Sequence, residues 1–187
     1  LGDLAYRLEL EGWDLPLTVS APDDPMSGLD VTSYYGSDFL PLSVAETDEL
    51  EITLVSVAPV AADGAQAPLS PAPLPGPAGV VYALHIRNTG DVPRRGKVVL
   101  QASDRLIGHY EDARADRAEM RAPEISLRQG TLILTRPYGA AGVHLHNGTW
   151  TKLDPPFEAK LAFDLRPGEA QTFETHIALG VTYADVM

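Results

Sequence analysis

The chain has 187 residues, 44% of them hydrophobic, which is enough to form one ordinary domain with a buried core. With 14 Lys and Arg against 26 Asp and Glu the net charge is -12, so the chain repels phosphate polyanions and anionic lipids, and neither nucleic acid nor a membrane surface is an expected partner. The lack of cysteine excludes disulfides, thiolate zinc sites and cysteine nucleophiles.

Strand patterns dominate the first half of the chain. Apolar residues alternate with polar ones in Leu50–Leu54 and Val80–Arg87, which predicts half-buried antiparallel strands. Further strands are predicted at Leu4–Leu10, Leu15–Ser20, Val31–Tyr35 and Lys97–Ala102.

Two connections interrupt these strands. Ala61–Pro77 contains five prolines and is expected to be an extended connection inside one domain. Glu111–Ala122 is rich in helix formers and charges but has no apolar stripe at helical spacing. We therefore predict one short, exposed helical turn or loop there, inserted between strands.

After a strand at Thr131–Thr135, the last third of the chain is predicted to contain two hairpins. Asn147-Gly148 joins Val143–His146 to Thr149–Leu153, and this dipeptide favours the type I′ turn of paired strands. Arg166–Glu169 joins the alternating segments Ala159–Leu165 and Phe173–Leu179, and its Pro-Gly sequence suits a type II turn.

These patterns together predict an all-β fold, an antiparallel β-sandwich in which residues 1–187 form a single domain. The apolar side of the strands should form the core, namely Leu54, Tyr82, Leu84, Ile86, Leu100, Phe163, Phe173 and Ile177. Because the chain starts at Leu1 without a methionine and stops at Met187 directly after a strand-like run, we expect it to be a piece of a longer protein.

Three side chains are candidate ligand-binding residues: His144, His146 and Trp150. The two histidines project from the same face of a predicted strand, as in zinc or copper sites that recruit a third ligand; the alternative is a polar strand face. No nearby cluster completes a metal shell, so we predict neither a metal ion nor a cofactor. Trp150 is a candidate sugar-stacking residue if it is exposed near the turn, and a core or interface residue otherwise, as are Trp13, Tyr34 and Tyr35.

The sequence shows no catalytic motif. Carboxylates are plentiful, but general acid–base catalysis needs two of them held a few Å apart, and abundance does not indicate that. The chain lacks a Gly-x-Ser-x-Gly elbow, a phosphate-cradling glycine loop, a dinucleotide fingerprint and a His-Glu-x-x-His motif. We therefore predict no catalytic residue, and whether the chain is part of an enzyme stays open.

Several segments together resemble a known arrangement. They are Leu50–Ala62, a connector ending in Pro73–Pro77, then Val80–Leu100 with its Asn88–Asp91 turn, and finally Phe163–Gly180. This order is similar to the N-terminal β-sandwich of glucosylceramidase-type β-glucosidases and related glycoside hydrolases. The resemblance implies a supersandwich-like domain that packs against an (α/α) barrel holding both catalytic carboxylates. That barrel lies outside this chain, so the resemblance carries over no catalytic residue.

The leading hypothesis is therefore a non-catalytic N-terminal sandwich domain of a carbohydrate-active enzyme, with the catalytic domain of the same protein as its partner. The alternative is a free-standing module of immunoglobulin-like type that binds carbohydrate or protein at a surface. A complete small enzyme with unrecognised acid–base residues is the third hypothesis. An apolar patch left by the missing barrel would promote self-association, so we also expect a homodimer of the isolated chain. The sequence indicates neither a substrate nor a compartment.

Overall fold

A computed structural model describes residues 4–12, 17–20, 31–35, 41–57, 78–103, 123–136, 139–180, 184 and 186. Most of these residues lie in antiparallel strands, and none of them lies in an α-helix. The strands are β1 (Leu4–Leu10), β2 (Leu17–Ser20), β3 (Val31–Tyr35), β4 (Pro41–Glu46), β5 (Leu50–Val57), β6 (Ala78–Asn88), β7 (Arg94–Ala102), β8 (Glu124–Arg128), β9 (Thr131–Arg136), β10 (Gly139–Leu145), β11 (Thr149–Lys152), β12 (Phe157–Leu165) and β13 (Ala170–Gly180).

The strands form two sheets. The small sheet has five strands in the order β11-β12-β7-β1-β2, and the large sheet has eight in the order β3-β4-β5-β6-β13-β10-β9-β8. The predicted all-β sandwich is confirmed. The described part of the chain contains no helix of the length and apolarity that crossing a bilayer requires.

The core lies between the sheets and is built by strand alternation. In β1 every second residue from Leu4 to Leu10 is buried, and the same pattern recurs in β5, β12 and β13. The rings of Phe163 and Phe173 meet edge to face across the sandwich with their centroids 6.3 Å apart. All eight residues predicted for the core are buried: Leu54, Tyr82, Leu84, Ile86, Leu100, Phe163, Phe173 and Ile177.

Two hydroxyl groups also lie in this core. Tyr6 of the small sheet and Thr175 of the large sheet are both fully buried. Neither hydroxyl forms a hydrogen bond of normal geometry with the described residues. Burial raises the pKa of the Tyr6 phenol well above its usual range, and the nearby Thr175 hydroxyl opposes this shift. The phenol therefore stays neutral and contributes mainly as a packing group.

Both predicted hairpins are wrong, because their strands enter different sheets. The turn at Arg166–Glu169 forms as expected, with the Glu169 amide donating to the Arg166 carbonyl at 2.9 Å and Gly168 at φ 80°. However, β12 pairs with β7 and β11, whereas β13 pairs with β6 and β10. The turn carries the chain across the core, so its two strands face each other through side chains instead of hydrogen bonds.

The turn at Asn147-Gly148 likewise connects the large sheet to the small one. Asn147 has a φ of 61°, but Gly148 does not take the positive φ that a type I′ turn requires at both positions. Gly148 is needed here for a different reason, because a Cβ at this position would overlap the side chain of Leu145. The type I′ geometry occurs instead at Gln129 and Gly130, with φ values of 48° and 81°, between β8 and β9.

A buried asparagine holds the corner where the chain passes between the sheets. The Asn88 amide nitrogen donates to the carbonyls of Val92 at 2.8 Å and Leu165 at 3.0 Å, and its oxygen accepts from the Gly90 amide at 3.0 Å. Its backbone exchanges hydrogen bonds with the 166–169 turn, through Gly168 and Glu169. Asn88 therefore joins β6 of the large sheet to the end of β12 in the small sheet.

Two expected connections fall outside the described residues: Ala61–Pro77 and the helical or loop insertion at Glu111–Ala122. Trp13 also lies outside them, and Tyr34 and Tyr35 are described only as backbone in β3. Two strands were missed, β4 and β8; apolar and polar residues do alternate in β8, but only over five positions.

Candidate functional site

The candidate site is a hollow of about 460 Å³ on the outer face of the large sheet. We call it the histidine hollow and define it by His144 on β10, His176 on β13, Thr131 on β9, Val81 on β6, and Gln129 in the β8–β9 turn. The four strand residues share the outer face because each alternates with a core residue of its own strand, and Gln129 lines the hollow from the adjacent turn. The hollow therefore lies on the side of the sheet opposite the core.

Small residues create the depth of the hollow. The outward positions of β10 beside His144 are Ala140 and Gly142, and the corresponding position of β13 is Ala178. Val186 lies over this part of the sheet, since a Cβ placed on Gly142 would be 2.8 Å from the Val186 carbonyl oxygen. Val186 packs with Ile133, Ala140 and Ala178 in a second apolar cluster, separate from the main core.

The polar wall of the hollow is a pair of histidines. His144 and His176 are cross-strand partners between β10 and β13, and their rings lie edge to face with centroids 6.4 Å apart. The Thr131 hydroxyl is 3.2 Å from Nδ1 of His144, and a Glu174 carboxylate oxygen is 3.5 Å from Nε2 of His176. This arrangement can donate and accept hydrogen bonds to a polar ligand. Within the described ranges, no group of three His, Cys, Asp or Glu side chains is placed to hold a metal ion.

The predicted site residues separate in the structure. His144 lines the hollow, whereas His146 lies beyond the end of β10 with an exposed side chain and donates its backbone amide to the Glu174 carbonyl at 3.0 Å. Trp150 is only 9% exposed, and its indole N–H donates to the Gly130 carbonyl at 3.0 Å. The structure therefore places Trp150 in the core, which is the packing alternative. Ligand binding by any of the three stays a prediction.

Sequence reasoning missed His176, Thr131 and Gln129. His176 alternates with core residues of β13 as His144 does in β10, so strand alternation places each of them on an outer face. What the sequence does not contain is the pairing of β10 with β13, which brings the two rings together.

The outer face of the small sheet has a different chemistry. Glu9 accepts hydrogen bonds from Arg7 and Lys97, each at 2.8 Å, and Arg95 pairs with Asp164 at 2.8 Å. The hydrogen bond from Lys97 is the main reason that the pKa of Glu9 is lowered, with burial opposing it and the charges of Lys97 and Arg7 adding to it. This face is a network of paired charges, as expected of a solvated surface.

Comparisons with known proteins identify the fold. No family model matches the chain, and no curated protein matches it. Among solved structures it is similar to a polysaccharide lyase, with a TM-score of 0.55 and 12% identity over 98% of this chain and 26% of the lyase. It is also similar to a "Putative kojibiose phosphorylase from human microbiome", with a TM-score of 0.46 and 8% identity over 94% of this chain and 21% of that one. The chain thus spans about a quarter of the length of these proteins, and the likeness to the lyase shows that it shares a β-sandwich fold with part of a much longer protein.

Proposed function

We propose that this chain is a non-catalytic β-sandwich domain of a carbohydrate-active enzyme, and that it packs against the catalytic domain through the outer face of the large sheet. The coverage of the lyase supports the first part, since 98% of this chain corresponds to 26% of that protein. The segments that resemble glucosylceramidase-type glycoside hydrolases favour a parent enzyme of that kind, with an (α/α) barrel as the partner domain.

The observation that carries the proposal is the group of small and apolar residues on the outer face of the large sheet. Val81, Gly142 and Ala178 lie together there around the histidine hollow, next to the apolar cluster in which Ile133 and Val186 are already buried. Small and apolar side chains let another surface approach closely and release water on contact, whereas paired charges favour exposure.

A matched pair of surface variants tests the packing. Val81→Lys places a charge on the outer face of the large sheet, and Ala162→Lys places the same charge on the outer face of the small sheet, on strand β12. The remainder of the full gene product is expressed separately, and its association with each variant is measured by titration calorimetry. We expect Val81→Lys to weaken association at least about tenfold, because it would bury a charge at the contact, and Ala162→Lys to leave it unchanged.

The same experiment can contradict the proposal. Equal effects of the two variants would show that the large sheet does not form the contact. A gene product without a further domain would remove the partner altogether. We also expect the isolated chain to hydrolyse no aryl glucoside, because the two-carboxylate mechanism needs groups roughly 5–10 Å apart on a framework that the barrel provides. Turnover above that of carboxylate variants would favour a complete enzyme.

The histidine hollow favours a second candidate function, a free-standing carbohydrate-binding module. His144, His176, Thr131 and Gln129 supply donors and acceptors beside the apolar surface of Val81. NMR titration of the isolated chain with neutral oligosaccharides distinguishes the two functions. Saturable shifts at the hollow that His176→Ala abolishes, but that His85→Ala on the same face does not, would favour the binding module.

A further inference from the structure

Strand β8 lies at one end of the large sheet. Among the strands that the structure describes, β9 is its one hydrogen-bonded neighbour. An edge strand of this kind leaves backbone donors and acceptors available for another strand. The sequence of this edge strand is Glu124-Ile125-Ser126-Leu127-Arg128.

The β8–β9 turn determines which backbone groups point to the edge. Gln129 and Gly130 form a two-residue turn with positive φ at both positions, and Arg128 is paired with Thr131 beside it. In such a hairpin the flanking pair exchanges both hydrogen bonds, and pairs then alternate along the strand. The amides and carbonyls of Ile125 and Leu127 therefore point away from β9, toward the edge.

The same two residues expose apolar side chains. Ile125 is paired with Leu134 and Leu127 with Leu132, so both lie on the core side of the large sheet. Leu132 and Leu134 are fully buried, yet Ile125 is 40% exposed and Leu127 43%. The core face of the sheet thus continues beyond the cover provided by the small sheet. The residues that alternate with these two, Glu124, Ser126 and Arg128, point to the outer face.

We infer that a second copy of this chain pairs with β8 in an antiparallel manner, about a two-fold axis through Ser126, and joins the two large sheets into one. This pairing sets Ile125 opposite Leu127 of the second copy and Glu124 opposite Arg128 of the second copy. The outward backbone groups of Ile125 and Leu127 then bond each other, the exposed apolar side chains contact one another, and opposite charges meet at both ends. The strand is therefore complementary to itself in backbone, apolar surface and charge.

Other registers lose this complementarity. A shift by one residue sets Ile125 opposite Ser126 and places the apolar side chains on the wrong face of the joined sheet. A shift by two residues keeps the faces but leaves Glu124 or Arg128 opposite Ser126. The charges at the ends of β8 therefore specify the register. Because the strand is short and each copy carries a net charge of -12, we expect a weak, concentration-dependent dimer.

Charge reversal at the two ends provides the test. Sedimentation velocity of the whole chain from about 5 to about 500 µM, at about 150 mM salt, brackets the dissociation constants expected of a small interface. Glu124→Lys alone and Arg128→Glu alone each set like charges opposite one another twice, so each should weaken dimerisation about tenfold or more. An equimolar mixture of the two variants restores opposite charges at both contacts. We expect it to form heterodimers with about the affinity of the wild type.

The mixture also controls for folding, because restored association requires both variants to keep β8 intact. The double variant Glu124→Lys/Arg128→Glu should dimerise like the wild type and should not associate preferentially with it. A wild-type chain that stays monomeric up to about 500 µM would overturn the inference. So would single variants that dimerise as well as the wild type, since the contact would then lie on another surface.

Discussion

The outer faces of the two sheets differ in the side chains that they present to solvent. The small sheet carries paired charges, with Glu9 between Arg7 and Lys97. The large sheet carries small and apolar residues around a pair of histidines, His144 and His176. Both sheets contribute to one core, which constrains only every second residue of each strand. The outward residues are free of that constraint, and the difference between them is the basis of our proposal that the large sheet packs against another domain.

The rings of Phe163 and Phe173 meet in the core between the two sheets, so truncating either ring should destabilise the whole sandwich. Phe163→Ala removes the edge-to-face contact and leaves a cavity in the core, which should cost about 3–5 kcal/mol of unfolding free energy. Urea denaturation followed by circular dichroism measures the loss. Val92→Ala, at a residue that is 43% exposed, serves as the control and should change stability by less than about 0.5 kcal/mol. A wild-type-like midpoint for Phe163→Ala would contradict the assigned packing.

Asn88 should have the next largest effect, because its side chain joins the two sheets at the corner. Asn88→Ala leaves the buried carbonyls of Val92 and Leu165 without their donor, which should cost about 1–3 kcal/mol. Gln101→Ala is the matched control, since it removes an amide whose hydrogen bond to Glu158 lies on the outer face of the small sheet. Equal losses for the two variants would show that the corner does not depend on Asn88.

The corner also marks the limit of what the sequence predicts. Strand alternation correctly predicts the sandwich and the core, because burial repeats every second residue along a strand. Turn chemistry correctly predicts a turn at Arg166–Glu169, but Pro and Gly determine only the local bend. Whether the next strand pairs with its predecessor or crosses to the other sheet depends on distant partners, such as Asn88 and β6. Both hairpin predictions failed for this reason.

The same limit applies to the candidate site. His144 could be found because it lies two positions from His146 on a predicted strand, and it faces outward between the core residues Val143 and Leu145. Its neighbour His176 comes from another strand through a register that no local signal contains. Trp150 is a further example, because nothing adjacent to it in the sequence indicates that the Gly130 carbonyl will accept its indole N–H. Long-range pairing therefore determines the composition of the hollow.

The buried hydroxyls of Tyr6 and Thr175 allow a smaller test of the shared core. Both lack a hydrogen bond of normal geometry among the described residues, so removing both should relieve a desolvation cost without opening a cavity. We expect Tyr6→Phe/Thr175→Val to change stability by about 0 to 1 kcal/mol in the stabilising direction. Thermal unfolding of the double variant and of each single variant gives the comparison. A double variant less stable than the wild type would contradict this expectation, and a double-variant effect that differs from the sum of the two single effects would show that the hydroxyls interact in the native state.

Glu9 should have the smallest effect, and its pH dependence shows how much the charged face contributes. The pKa of Glu9 is lowered from its usual value of 4.5, chiefly by the hydrogen bond from Lys97, so its native pKa lies below its unfolded one. The stabilisation is therefore present above about pH 4.5 and is lost as the pH falls through the native pKa.

Because the pairs are at the surface, Glu9→Gln should cost no more than about 0.5 kcal/mol at pH 7, and the two proteins should become equally stable in acid. Urea unfolding from about pH 3 to about pH 7 measures the difference in unfolding free energy between the two proteins. High salt should reduce that difference by screening the charges. Asp164→Asn, which removes the more exposed pair with Arg95, should change stability even less at pH 7. If the difference in unfolding free energy between the wild type and Glu9→Gln stayed constant with pH, the ionised carboxylate of Glu9 would not stabilise the small sheet.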